Sequence, residues 1–150
     1  MQPKASFMEM AFDQAKLAQS RGEVPVGAVI TKNSELIAAD GNRTLEYKDP
    51  TAHAEILVIR AAAQTLQSER LIGCDLYVTL EPCPMCAAAL SHARIRRLYF
   101  GAGDPKSGAV EHGVRLFNNK TCHHAPEVYS GIMEYDCSEL LRTFFAEKRA

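Results

Sequence analysis

Two short segments carry the side chains best suited to chemistry: His53-Ala54-Glu55 and Pro82-Cys83-Pro84-Met85-Cys86. Cys83 and Cys86 are three residues apart, so at a helix start both thiols can face the same way. The unpaired N–H groups and dipole of a helix N-terminus favour thiolate, the form that binds zinc. His53, in the first turn of another helix, can supply a third ligand. Three protein ligands leave a fourth position open to water, the arrangement of a catalytic rather than a structural zinc. Glu55, two residues from His53, could reach that water without being a ligand. Zinc lowers the pKa of its water to about 7. A carboxylate beside it can take the water's proton and pass it to a leaving amine. This is the chemistry of hydrolytic deamination at an amidine-like ring carbon.

A lone C-x-x-C is shared with structural zinc sites and thiol redox sites. The structural reading needs a second close ligand pair. The other cysteines, Cys74, Cys122 and Cys137, form no second C-x-x-C. Glu55 would also have no task in a structural site.

The elements that must position these residues alternate along the chain, which predicts an α/β domain. Ser6 with Glu9 reads as a capping box opening a first helix, with Phe7, Met10, Ala11, Leu17 and Ala18 inward. Arg21-Gly22-Glu23 ends it. Residues 26–31 and 36–39 read as strands joined at Asn33-Ser34, a hairpin. Thr51 is expected to cap a helix over residues 52–67, with Ile56, Ile59, Ala63 and Leu66 inward. Residues 76–80 form a third strand. Pro82 and Pro84 sit where a loop turns into a helix over 84–92, since proline is tolerated in a first turn. Residues 98–101 and 128–130 complete the strands, with loop and a short helix between 101 and 119. Asp136 with Glu139 is a second capping pattern, opening a last helix through Leu140, Leu141, Phe144 and Phe145.

Composition bounds the answer. The 150 residues suit one domain spanning residues 1–150. Apolar residues are 47% and charged residues 23%, which excludes a disordered chain. With 17 Lys plus Arg and 18 Asp plus Glu, the net charge of −1 excludes a uniformly basic nucleic-acid coat, though not a local patch. No apolar run approaches the ~18 residues of a membrane span. Residues 1–9 lack the apolar region of a signal peptide, so a cytoplasmic location is expected. There, five cysteines point to metal or catalytic use rather than disulfides.

H-x-E followed by P-C-x-x-C is the signature of zinc nucleobase deaminases. Gly27-Ala28-Val29-Ile30, Gly41-Asn42-Arg43, Asp49-Pro50-Thr51-Ala52-His53-Ala54-Glu55 and Thr79-Leu80-Glu81-Pro82-Cys83-Pro84-Met85-Cys86 resemble the bacterial tRNA-specific adenosine deaminases of the cytidine deaminase superfamily. So do the run from Phe100 through Gly101-Ala102-Gly103-Asp104-Pro105-Lys106-Ser107-Gly108 and the ending Leu140-Leu141-Arg142-Thr143-Phe144-Phe145 with its basic tail. The resemblance spans about residues 7–149. It implies a three-layer α/β/α domain with a five-stranded mixed sheet, working as a homodimer. The implied reaction converts adenosine to inosine at the wobble position of a tRNA anticodon, usually that of an arginine tRNA. His53, Cys83 and Cys86 would bind one Zn²⁺ per chain and Glu55 would be the proton shuttle. Asn42 would hydrogen-bond the flipped adenine or its ribose, the Ala54 backbone would contact the base, and Val26 would wall the pocket. Asp104, Lys106, Phe144, Phe145 and Arg149 match regions that hold flanking nucleotides of the anticodon stem-loop.

Each of these residues also has a plainer reading. Asn42 and Asp104 are ordinary turn formers. Of Phe144 and Phe145, one is expected in the core and the other against a base. His92 and His112 read as structural or surface residues. Arg94, Arg96, Arg97, Lys106, Arg115, Lys120, Arg142, Lys148 and Arg149 form either a solvated face or a patch following anticodon-loop phosphates. The sequence departs from better-known relatives over residues 111–126, where Cys122-His123-His124 lies in a loop without partner ligands at metal-site spacing. Two rival functions share the metal motifs: a deaminase of a free base or nucleoside, guanine foremost, and a non-catalytic zinc-stabilised RNA-binding module.

Overall fold

The computed structural model describes residues 4–149. The leader reading of residues 1–9 therefore rests partly on residues 1–3, which lie outside the described residues. Helix α1 (Lys4–Ser20) leads into the hairpin β1 (Gly27–Lys32) and β2 (Glu35–Gly41). A four-residue helix α2 (Thr44–Tyr47) precedes α3 (Ala54–Leu66). Strand β3 (Cys74–Leu80), helix α4 (Pro84–Ala93) and strand β4 (Arg97–Ala102) follow, then β5 (Glu127–Ser130) and α5 (Glu134–Arg149).

The five strands form one mixed sheet in the order β2-β1-β3-β4-β5. β1 is antiparallel to both β2 and β3, and β3, β4 and β5 run parallel. Asn33 and Ser34 both take positive φ, 51° and 63°, the backbone of a tight turn matched to strand twist.

Strand alternation splits the core into two layers. Ala28, Ile30, Leu76, Val78, Leu98 and Phe100 pack with Val58 and Ala62 of α3 and Leu90 of α4. Val29, Tyr77 and Tyr99 point the other way, against Phe7, Met8 and Ala11 of α1. On that second face Tyr77 stacks on Tyr99 at 4.4 Å between ring centroids, and Phe7 tilts against Tyr77 at 5.5 Å. Helix α5 joins α1 there, placing Cys137 against Gly101. Helices thus cover both faces, the three-layer α/β/α class.

Several expectations about helix ends need correction. α1 starts at Lys4, so Ser6 and Glu9 lie inside it rather than capping it. Its buried face is Phe7, Met8, Ala11, Ala15 and Ala18, whereas Leu17 is exposed. Thr51 does not cap α3: its hydroxyl and N–H both go to Asp49 Oδ1, and His53 holds the N-cap position. The fully buried residues of α3 are Ala54, Glu55, Val58 and Ala62, with Ile56, Ile59, Ala63 and Leu66 only half-buried. α5 begins at Glu134, and Glu139 pairs with Arg142 rather than completing a capping box. No turn of helix was expected at α2.

Candidate active site

Two helix N-termini converge on one point. His53 is the N-cap of α3 and Cys83 the N-cap of α4, both in extended backbone and neither using its side chain to cap. Pro84 takes the first position of α4, where a missing N–H costs nothing. One turn into α4 lies Cys86. These placements put His53 Nδ1 3.7 Å from Cys83 Sγ and 3.5 Å from Cys86 Sγ. A tetrahedral zinc with ordinary Zn–N and Zn–S lengths sets its nitrogen and sulfur donors about 3.6 Å apart. The donor set therefore fits zinc in both chemistry and spacing. Among the described residues it is the one group of three or more His, Cys, Asp or Glu donors close enough to share an ion.

Electrostatics favour a bound cation. A hydrogen bond from Cys86 holds the Cys83 thiol well below its ordinary pKa, outweighing the effect of burial, and His53 adds to it. Cys86 is pushed up, first by that same bond and then by burial. The hydrogen bond to Cys83 raises His53 in turn, against the opposing effect of burial. The two helix N-termini carry partial positive charge, which favours the cysteines as thiolates, the form that binds a metal. A metal binds both cysteines as thiolates, so its binding would release protons from the site.

Glu55 sits one residue into α3 with 3% of its surface exposed. Burial pushes its carboxyl up to about 7. Asn42 stands opposite. Its Oδ1 accepts the Ala54 N–H at 2.8 Å and so caps α3 from the end of β2. With Oδ1 committed, the Asn42 amide offers its NH₂ group as a donor. That bond engages the Ala54 N–H and fixes the Asn42 side chain against the start of α3.

These groups floor a cavity of about 650 Å³, within the range of small-ligand sites. It opens at the C-terminal ends of the parallel strands β3 and β4, where open α/β sheets place their sites. His53, Glu55, Cys83, Asn42 and Val26 line its inner part, and Asp104, Lys106, Phe145 and Arg149 its rim. The two phenylalanines are thereby separated. Phe144 is 7% exposed and packs inward, whereas Phe145 is 43% exposed and reaches the cavity.

Two buried glutamates hold the rims, and sequence reasoning assigned neither. Glu23 accepts the N–H groups of Leu45 and Glu46 and thereby caps α2, whose Thr44 lines the cavity. Glu81 accepts from the loop that follows β4. A carboxylate at the end of an apolar strand, facing a glycine-rich loop, is the available signal for Glu81.

Three of the basic residues singled out in the sequence are engaged in ion pairs. Arg96 is bidentate to Asp75, Arg97 pairs with Glu127, and Arg142 pairs with Glu139. Lys106 and Arg149 stay at the cavity rim without an ion-pair partner among the described residues. Cys122 and His124 serve the backbone. The Cys122 thiol reaches the His124 carbonyl, and His124 Nε2 donates to the Ile95 carbonyl at 2.6 Å.

The chain belongs to the cytidine and deoxycytidylate deaminase family, whose zinc-binding region it matches over residues 1–102. Zinc is accordingly its cofactor. It is 61% identical over 149 residues to a tRNA-specific adenosine deaminase of Agrobacterium fabrum, covering 99% of this chain and 98% of that protein. A solved structure from work on A-to-I editing by tRNA:A34 deaminases at the wobble position superposes with a TM-score of 0.91 at 61% identity. That match covers 92% of this chain and all 100% of the other. A guanine deaminase from Bacillus subtilis is more distant, with a TM-score of 0.67 at 28% identity, covering 99% of this chain and 96% of that one. No described helix is long and apolar enough to cross a membrane.

Proposed function

We propose that this protein is a zinc-dependent deaminase converting adenosine to inosine at the wobble position of a tRNA anticodon. The observation that carries the reading is the placement of a buried Glu55 beside three soft donors, beneath a rim that is aromatic and cationic. The likeness to tRNA-specific adenosine deaminases supports the choice of substrate.

In this reading His53, Cys83 and Cys86 hold the ion. When bound, zinc supplies a water activated for attack near neutral pH. Glu55 takes one proton of the attacking water and delivers it to the ring nitrogen, then passes the water's second proton, now on the hydroxyl added to the ring carbon, to the departing amine. The Asn42 NH₂ group, fixed by the Ala54 N–H, donates to the base or its ribose, and Val26 walls the pocket. The target base leaves its stack to enter, which costs little in a single-stranded loop. Phe145 stacks on a neighbouring base while Asp104, Lys106 and Arg149 hold flanking nucleotides of the anticodon loop.

Residues 1–150 act as one deaminase domain in the cytoplasm. The working unit is a homodimer. The support for the dimer is the resemblance to tRNA-specific adenosine deaminases.

The test is substrate discrimination with zinc-loaded protein. An arginine tRNA bearing adenosine at the wobble position is incubated beside free guanine, adenosine and cytidine, and products are read by mass spectrometry. Inosine confined to the wobble position is expected. Glu55→Ala should keep zinc and lose roughly 10²–10⁴-fold in turnover, whereas Cys86→Ala should lose zinc and activity together. Turnover of free guanine with untouched tRNA would overturn the RNA reading and favour the guanine deaminase alternative. Indifference of RNA binding to Glu55→Ala, with no product from any substrate, would favour a binding module.

A further inference from the structure

Residues 103–115 cross the mouth of the cavity without helix or strand, so their backbone amides need partners elsewhere. Four of them find theirs in one side chain. Glu81 Oε1 accepts the Asp104 N–H at 2.9 Å and lies 2.6 Å from His112 Nδ1. Glu81 Oε2 accepts three consecutive N–H groups, those of Val110, Glu111 and His112, at 3.0, 2.9 and 3.1 Å. Successive amides curled around one anionic oxygen form a nest, here filled by an internal carboxylate. The Glu81 side chain is fully buried.

Its surroundings leave no slack. Ala109 N–H donates to the Pro82 carbonyl at 2.9 Å, and Glu81 N–H to the Ala102 carbonyl at 2.8 Å. A Cβ on Gly108 would sit 2.6 Å from Glu81 Oε2 and 2.5 Å from the Asp104 carbonyl oxygen. The loop therefore closes onto the carboxylate only because position 108 has no side chain. Glu81 is also two residues from Cys83, and Asp104 lies on the cavity rim with Lys106 and Ser107. Asp104 Oδ1 in turn accepts the Lys106 and Ser107 N–H groups at 3.1 and 3.0 Å. A continuous chain of bonds thus links the metal-binding turn to the rim.

We propose that Glu81 is a positioning residue for the reaction: it holds the loop of residues 103–112 in the shape that presents Asp104 and Lys106 to the nucleic acid, with His112 as its side-chain partner. The proposal rests on the RNA-editing reading for what the rim touches, but not for what holds it.

The experiment compares zinc-loaded wild-type protein with Glu81→Gln, which keeps the shape and leaves one oxygen to serve two sets of donors. Three quantities are measured: zinc content, hydrogen exchange of residues 103–112 without substrate, and kcat and KM on an anticodon stem-loop. Zinc should stay at one per chain, and amides 104 and 110–112 should exchange at least about tenfold faster. KM should rise about tenfold or more while kcat moves only a few-fold. Unchanged loop exchange overturns the proposal. So does zinc lost in step with activity, or a fall in kcat at constant KM. If Glu81→Gln fails to fold, His112→Gln removes only the side-chain partner and should show the same split in weaker form; no split there overturns the proposal. Wild-type protein that edits no RNA would sink the substrate reading, while the exchange measurement still decides whether Glu81 holds the loop.

Discussion

Glu55 is a carboxyl placed where water cannot solvate its charge, beside His53, Cys83 and Cys86. Its pKa of about 7, against an ordinary 4.5, has a consequence for the metal-free protein. An acid with a raised folded pKa binds more protons folded than unfolded, so its contribution to stability is greatest below pH 4.5. It weakens as pH rises and is fully lost above about 7. The loss across that window is on the order of 3 kcal/mol. Chelator-treated wild type and Glu55→Gln should therefore differ in the pH slope of urea unfolding between pH 4.5 and 8. Equal slopes would assign the effect to another group. At this scale the sequence was informative, because ligand type and spacing are local properties. His53, Glu55, Cys83 and Cys86 were legible from two motifs. Which ring of Phe144 and Phe145 faces the cavity was not, since both fit the same helical stripe.

The elements exist where apolar periodicity places them, and their ends are where sequence reading slipped. Ser6, Thr51 and Asp136 each look like caps, yet Ser6 and Asp136 lie inside their helices and Thr51 turns to Asp49. At α3 the cap comes from Asn42, twelve residues upstream, and no local pattern encodes that pairing. α2 is a single turn held by Glu23 from across a loop, too short to leave a periodic signal. The close seat of α1 on the sheet is likewise tertiary. A Cβ on Gly27 would lie 2.0 Å from the Ala11 carbonyl oxygen and 2.4 Å from the Ala15 nitrogen. Both are backbone atoms, so the helix must lift away to admit a methyl group. Gly27→Ala should destabilise the protein by about 1–3 kcal/mol or more, an overpacking cost. Thermal unfolding of the zinc-loaded variant checks this, and a wild-type melting temperature would refute the close approach.

For the whole molecule, a net charge of −1 means that nucleic-acid affinity must come from a few placed cations rather than from bulk field. Those at the cavity rim are Lys106 and Arg149. Binding of an anticodon stem-loop should weaken with salt. Lys106→Ala should reduce the log–log slope by about 0.7 for a lost single-strand phosphate contact. Arg142→Ala should leave the slope unchanged, because its guanidinium is already engaged by Glu139 at 2.7 Å. Fluorescence anisotropy across a salt series separates the two, and equal effects would return Arg142 to the binding surface.

Residue types and their short-range spacing are enough to read the chemistry and the class of fold. Metal-ligand spacing within a turn, strand alternation and helix periodicity are short-range, and a single chain displays them directly. Long-range contacts, which no local pattern encodes, settle which cations are paired, which aromatic ring meets the cavity, and that Glu23 and Glu81 hold its two rims. Those outcomes depend on groups 22 to 31 residues apart meeting in a dry interior, as Glu23 meets the amides of α2 and Glu81 meets those beyond β4. There an unpaired charge or amide is costly, so each must find its partner in space.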